Sequence, residues 1–286
     1  MITTRRNSKK HNFRKKGILL PLAPYPLLLV GLLLVIFYLS FSPTRAQTSV
    51  TSTYQFGAGE SRLLDTYLSQ EEFSGSGLTF LYTSERRKPE RHWTTVWQHE
   101  VSRCATEDRA ASVSETLTEY TMVVGKRRNW QFGGLRLQAG GVLSFNLGAL
   151  QNSANSNNPV SARHSLQLMP SAKASHDFEL VGLPFTLHYE VQLPLVGEMF
   201  TPNYGQSYYE VFSLGNYDRN VVLTTFVSTP NLRQLLSLDA HVPRFATLRV
   251  SYLGNYQQSK VNGLKTHVYN SMVMVGIVKE FDIVKK

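Results

Sequence analysis

The serine and histidine residues are the side chains of this sequence that could support hydrolytic chemistry. A hydrolase embedded in a barrel needs a serine activated by a nearby histidine, and such enzymes typically carry the two on one strand face, two residues apart. No histidine of this chain is followed by a serine at that spacing. His164 and Ser165 are adjacent, and His99 and Ser102 are an odd number apart, so each pair would point to opposite faces. The spacing therefore predicts no catalytic residues and no enzyme.

Metal-ligating residue types are present but scattered. The histidines beyond the N-terminal region are His92, His99, His164, His176, His188, His241 and His267, and the single cysteine is Cys104. One cysteine cannot form a disulfide within the chain. His188 and Glu190 share a strand face and could ligate a metal together, or join Arg136 and Arg249 in a hydrogen-bonded network of a barrel interior. We expect the network, with no metal site and no cofactor.

The positive charge is concentrated at the N-terminus. Eight of the 30 basic residues lie in residues 1–46, which contain no acidic residue, and the remaining 22 face 20 acidic residues. A basic block before an apolar run of about 15 residues is typical of a secretory signal peptide, because a membrane-spanning helix needs about 20. Cleavage after Ala46 would leave a mature chain of nearly balanced charge; the alternative is an uncleaved anchor. An exported chain without a recognition motif is not expected to bind nucleic acid.

Alternation of apolar and polar residues dominates the rest of the chain. It is clearest at residues 135–147 and 185–195, where one face is apolar and the other mostly polar. The polar face supplies eight candidates for a barrel lumen. These are Arg136, Gln138, Asn146, His188, Glu190, Gln192, Arg249 and Ser251.

About twelve extended segments follow from this pattern, including 207–214, 219–228 and a weaker one at 51–58. Tight turns such as 181–184 alternate with polar loops such as 151–159 and 257–266. The pattern predicts an all-β fold: a single antiparallel transmembrane β-barrel of about 12 strands, preceded by a cleavable signal peptide. Aromatic residues near the strand ends favour the barrel over a soluble periplasmic β-sandwich, which remains the alternative. They are Trp93, Trp130, Tyr204, Tyr208, Tyr209, Tyr252, Tyr256 and Phe281.

Residues 64–75 (LDTYLSQEEFSG), followed by a strand that ends in Glu85-Arg86, resemble the opening of an uncharacterised family. It is a family of Bacteroidetes-type proteins classed as a domain of unknown function. The resemblance implies an outer-membrane β-barrel and supplies no catalytic residues. The expected organisation is a signal peptide at 1–46, an N-terminal strand and turn segment at 47–75, and a barrel body at 76–286.

The expected location is the outer membrane, in contact with the lipid bilayer and lipopolysaccharide. Two basic runs, 86–91 and 126–128, could bind phosphate groups, although such runs are usually solvated turns. Two functions remain open: a narrow pore for small polar solutes, or a structural barrel that binds an envelope protein partner through its loops. Each is an expectation that the fold has to support.

Overall fold

The computed structural model describes residues 48–88, 92–156, 159–243 and 246–283. The predicted signal peptide lies outside the described residues. None of the helices in these ranges is long and apolar enough to cross a membrane.

The described chain is almost entirely β-structure, with one short helix. The strands are β1 (Thr48–Asp65), β2 (Phe73–Arg87), β3 (Trp93–Glu107), β4 (Ser114–Phe132), β5 (Leu135–Asn152), β6 (Val160–Leu180), β7 (Leu183–Gln192), β8 (Val196–Phe200), β9 (Val221–Thr225), β10 (Leu232–Val242), β11 (Ala246–Val261) and β12 (Leu264–Ile283). The helix α1 (Tyr208–Phe212) lies between β8 and β9.

Ten of these strands form a closed antiparallel ring in the order β1 to β7, then β10, β11 and β12. The ring closes where β1 pairs with β12, from Thr48 opposite Ile283 to Asp65 opposite Thr266. The prediction of a single antiparallel barrel is thus confirmed, and the soluble β-sandwich is wrong because one continuous sheet closes on itself.

Two short strands stay outside the ring. β8 pairs with the first half of β6, and β9 pairs only with β8. β8 follows β7 after a break at residues 193–195, where Leu193 and Leu195 still donate to carbonyls of β6. The count of twelve strands is correct, but the ring itself contains ten.

The two ends of the barrel have different connections. At the terminal end, where β1 begins and β12 ends, the two-residue turns 133–134 and 181–182 join β4 to β5 and β6 to β7. The opposite end carries residues 66–72, 108–113, 153–156 and 201–220, as well as the two-residue turn at 262–263. We call it the loop end.

Three expectations about individual segments need correction. The boundary at 75/76 falls within β2, and residues 48–65 form a full strand of the ring, so the N-terminal segment is not separate from the barrel. Residues 207–214 contain α1 rather than a strand, because Ser207 and Glu210 form a capping box. Residues 257–266 extend the β11–β12 hairpin rather than form a long loop.

The two faces of the ring differ in polarity. Residues that point inward alternate with exposed residues along each strand, and many of the inward ones are polar and buried. Exposed apolar side chains lie on the outer face of nine ring strands. Examples are Phe56, Phe80, Val101, Leu147, Leu168, Leu187, Leu236, Val250, Val273 and Val275. This arrangement is that of a barrel surrounded by lipid.

The turn between β11 and β12 provides a test of the fold. Asn262 and Gly263 both have positive φ, 52° and 76°, as a type I′ hairpin turn requires. The substitution Gly263→Ala should lower the free energy of unfolding by about 1 kcal/mol, because a side chain is disfavoured in the left-handed region. Urea unfolding followed by tryptophan fluorescence measures the change.

Gly141→Ala is the matched control. Gly141 has no positive φ, and nothing lies within 4 Å of an added Cβ. Equal losses in the two variants would contradict the role assigned to the turn.

Candidate functional site in the barrel lumen

The eight residues predicted to face the lumen lie on the inner face of the barrel. Gln138, Asn146, Glu190, Gln192, Arg249 and Ser251 are buried, whereas Arg136 and His188 are half-buried. The structure does not bring all eight together. It divides them between a layer of charges at mid-height and a cavity at the terminal end.

Arg127 of β4 forms the centre of the mid-height layer. Its side chain is 0% exposed, and its guanidinium donates two hydrogen bonds to the carboxylate of Glu190 on β7. It also donates to Ser171 Oγ of β6 at 3.0 Å. Because β4 and β7 are not neighbours in the ring, this ion pair crosses the lumen.

A second ion pair completes the layer from another direction. Arg233 of β10 donates to Glu100 of β3 at 2.9 Å and to the side-chain oxygen of Gln98 at 3.2 Å. Gln98 in turn donates to Glu190 at 2.9 Å, so the two ion pairs are connected. We call Arg127, Glu190, Arg233, Glu100, Gln98 and Gln192 the charge layer.

The charge layer occludes the lumen in this conformation. A water-filled channel would leave its lining side chains accessible to water, whereas Gln98 and Gln192 are each 1% exposed. On the loop-end side, a buried apolar cluster lies against the interior of the same strands. It contains Leu63, Phe73, Leu81, Cys104, Leu117, Leu150, Leu235, Leu253, Val268, Met272 and Met274.

A cavity of about 560 Å³ lies on the other side of the charge layer, at the terminal end. We call it the vestibule. Two ion pairs lie in its lining: Lys173 binds Glu85 at 2.7 Å, and Arg136 binds Asp177 at 3.3 Å. A smaller cavity of about 50 Å³ lies among loop-end residues, including Asp65 and Arg163.

His188 and Glu190 share a strand face but have different partners. Glu190 belongs to the charge layer, whereas His188 lies between Ser175 Oγ at 2.8 Å and Asp239 Oδ2 at 3.2 Å. Asp239 also accepts from Arg249, so His188 and Arg249 share one carboxylate. Within the described ranges no group of three His, Cys, Asp or Glu side chains could hold a metal ion.

The basic run 126–128 does not form a solvated turn. It lies within β4, so Lys126 and Arg128 point outward while Arg127 points into the lumen. The charge of the run suggested a surface role because consecutive cations are usually solvated. The two-residue alternation along β4 could have identified Arg127, because Arg127 lies on the same strand face as the buried residues Val123 and Gly125.

The aromatic residues of the loop end are not all strand residues. Tyr208 lies in α1, and its ring meets Tyr67 of loop 66–72 edge to face at a centroid distance of 5.4 Å. Burial, together with nearby Tyr208 and Asp65, raises the pKa of Tyr67 to about 12. Tyr204 and Tyr209 are exposed in the same loop region.

These features define a closed antiparallel β-barrel whose interior is filled by paired charges and apolar side chains. The chain belongs to the family of proteins of unknown function DUF3316, which it matches over residues 25–286. The resemblance of the sequence to an uncharacterised family is thereby confirmed.

Solved barrels show what the fold is similar to. The outer membrane protease OmpT from Escherichia coli is 8% identical with a TM-score of 0.44, covering 84% of this chain and 99% of that one. The transport unit of the autotransporter AIDA-I from Escherichia coli is 7% identical with a TM-score of 0.43, covering 86% and 92%. The translocator domain of the autotransporter NalP from Neisseria meningitidis is 13% identical with a TM-score of 0.34, covering 88% and 95%. No curated protein matches the sequence.

The charge layer predicts a stability effect. Glu190→Gln should lower the free energy of unfolding by about 3 kcal/mol, because the buried guanidinium of Arg127 loses its main counter-charge. The double variant Arg127→Met/Glu190→Gln should lose less free energy of unfolding than the sum of the losses in the two single variants, because neither charge is then left buried without its partner. Urea unfolding in detergent measures both effects, with exposed Glu179→Gln as the control. Additive effects would contradict the ion pair.

The Tyr67 phenol predicts a pH dependence. Between its ordinary pKa of 10.0 and the raised value of about 12, the folded chain keeps a proton that the unfolded chain releases. Stability should therefore fall as pH rises through this window. Tyr67→Phe should remove the latest step in the absorbance titration of tyrosinate, whereas Tyr204→Phe at an exposed position should leave it. If the latest titration step persists in Tyr67→Phe, that step belongs to another tyrosine and the prediction is contradicted.

Proposed function

We propose that the protein spans the outer membrane as a β-barrel. The apolar outer face and the buried polar interior support this, because a spanning barrel must satisfy its backbone within the ring and present apolar side chains to lipid. Two of the three two-residue turns in the described residues lie at the terminal end, which supports a periplasmic position for that end, with the loop end outside.

The proposed contacts with lipopolysaccharide follow from this orientation. Arg103 is exposed near the loop end of β3, and Arg62 is exposed near the loop end of β1, paired with Glu60. Both could meet phosphate groups in the outer leaflet. The basic residues Arg86 and Lys126 lie towards the terminal end, and in this orientation they face the periplasmic leaflet.

Within this barrel, the proposed role is a narrow pathway for small polar solutes that is closed at the charge layer. The observation that supports it is the composition of this barrier. Its ion pairs and amides are polar groups that water could solvate if the side chains separated, and the buried apolar cluster on the loop-end side would have to move aside with them. The vestibule provides the entrance from the periplasmic side.

Conductance in planar bilayers tests the pathway. Wild-type barrels should carry no steady current, because Arg127 and Glu190 meet across the lumen. The double variant Arg127→Ala/Glu190→Ala removes both charges and the side chains that span the lumen, so it should produce discrete current steps.

The control removes an ion pair from the outer face instead. Glu60 and Arg62 are exposed and paired at 2.8 Å, so Glu60→Ala/Arg62→Ala should remain silent. A steady wild-type current would contradict the closed state. Silence of a barrel that also carries Arg233→Ala and Glu100→Ala would contradict the pathway.

A structural barrel that binds an envelope protein is the second candidate. It is favoured by the exposed aromatic side chains of the longest loop, Tyr204 at 72% and Tyr209 at 66% exposure, because exposed aromatics are common at interfaces. Extraction in mild detergent should then recover a partner that is lost in Tyr209→Ser. Isolation as a single monodisperse species would count against it.

A further inference from the structure

A serine, a histidine and an aspartate from three neighbouring ring strands meet in the vestibule. Ser175 of β6 lies directly opposite His188 of β7, and Asp239 comes from β10, the next strand in the ring. The distances are 2.8 Å from Ser175 Oγ to His188 Nδ1 and 3.2 Å from His188 Nε2 to Asp239 Oδ2. All three residues line the cavity of about 560 Å³.

The partners of the neutral imidazole determine its tautomer. Asp239 accepts two hydrogen bonds from Arg249, so it is a carboxylate and can only accept from His188. Nε2 of His188 therefore carries the proton, and Nδ1 has a free lone pair. The hydrogen bond at Nδ1 must then come from the hydroxyl of Ser175. The two ring nitrogens exchange roles relative to the serine–histidine–aspartate triad, but the serine hydroxyl still faces the unprotonated nitrogen, as a general base requires.

Ser175 and His188 are a pair that spacing along a single strand does not detect. Two residues on one strand share a face only when they are an even number apart, but residues directly opposite on neighbouring strands always do. Ser175 and His188 belong to different strands of one hairpin. The prediction of no enzyme was based on pairs within one strand, and Ser175 and His188 are not such a pair.

A cation lies beside the serine on its other side. Arg136 of β5 is the register partner of Ser175, so the serine lies between Arg136 and His188. The Arg136 side chain is 30% exposed and donates to Asp177 at 3.3 Å. A guanidinium in this position can stabilise negative charge that develops on an oxygen bound at Ser175.

We infer that Ser175 is a nucleophile for acyl transfer from small esters that enter the vestibule. Ser175 Oγ attacks the ester carbonyl while its proton passes to His188 Nδ1. The leaving alcohol takes that proton as the ester C–O bond breaks, which leaves an acyl-serine. Water then attacks the acyl group, His188 accepts and returns a proton, and the acid is released. Asp239 positions the imidazole through its Nε2–H.

Covalent labelling of the folded barrel in detergent tests the inference. A fluorophosphonate probe should phosphonylate Ser175 as fluoride leaves, and peptide mass spectrometry locates the label. Ser175→Ala should abolish labelling. His188→Gln should slow it at least about 100-fold, because general-base assistance contributes that much.

Ser237→Ala is the matched control, because Ser237 also lies opposite His188 but hydrogen-bonds Ser251. It should label like the wild type. Heat-dependent gel migration verifies that each variant is folded. A folded wild-type barrel that takes no label at Ser175 would overturn the inference, as would equal rates in His188→Gln. The rates of p-nitrophenyl butyrate hydrolysis should rank the variants in the same order as the labelling rates. Labelling needs no current, so its outcome is separate from the test of the pathway.

Discussion

The pairing of β1 with β12 is the constraint on which the rest of the structure depends. It joins the first and last strands of the described chain over the whole length of β1, from Thr48 to Asp65. Closure leaves no exposed sheet edge within the ring, and it separates an inner from an outer surface. Every second side chain is thereby committed to the interior. The polarity of the lumen follows directly from the residues at those positions.

Charged side chains that point into the narrow interior lose contact with water. A charge that loses water must find an opposite charge and additional hydrogen bonds, or its burial is costly. Arg127 finds both, because Glu190 and Ser171 reach it from two other strands. The same contacts that satisfy the guanidinium also fill the lumen. The ion pairs that compensate the buried charges are therefore the same contacts that close the lumen at mid-height. Any pathway must open by breaking these ion pairs.

The sequence predicts features that depend on neighbouring residues in the chain. Alternation in β5 and β7 separates one face of the strand from the other, since a two-residue period is a property of one strand. Contacts between distant strands are different: the pair of Arg127 and Glu190 depends on the tilt of the strands around the closed ring, which no single segment encodes. Helix α1 was missed because its aromatic residues favour strands, whereas its capping box at Ser207 is a local signal that could have revealed it.

The contact between Ser175 and His188 shows how one turn can determine lumen chemistry. β6 and β7 are joined by the two-residue turn of Val181 and Gly182, both with positive φ, 51° and 73°. This turn places Leu180 opposite Leu183, and the same register places Ser175 opposite His188. A turn moved by one residue along the chain would instead bring Glu190 opposite Ser175. Because only a glycine adopts such a conformation readily, Gly182 helps to select the register that gives the serine a basic neighbour.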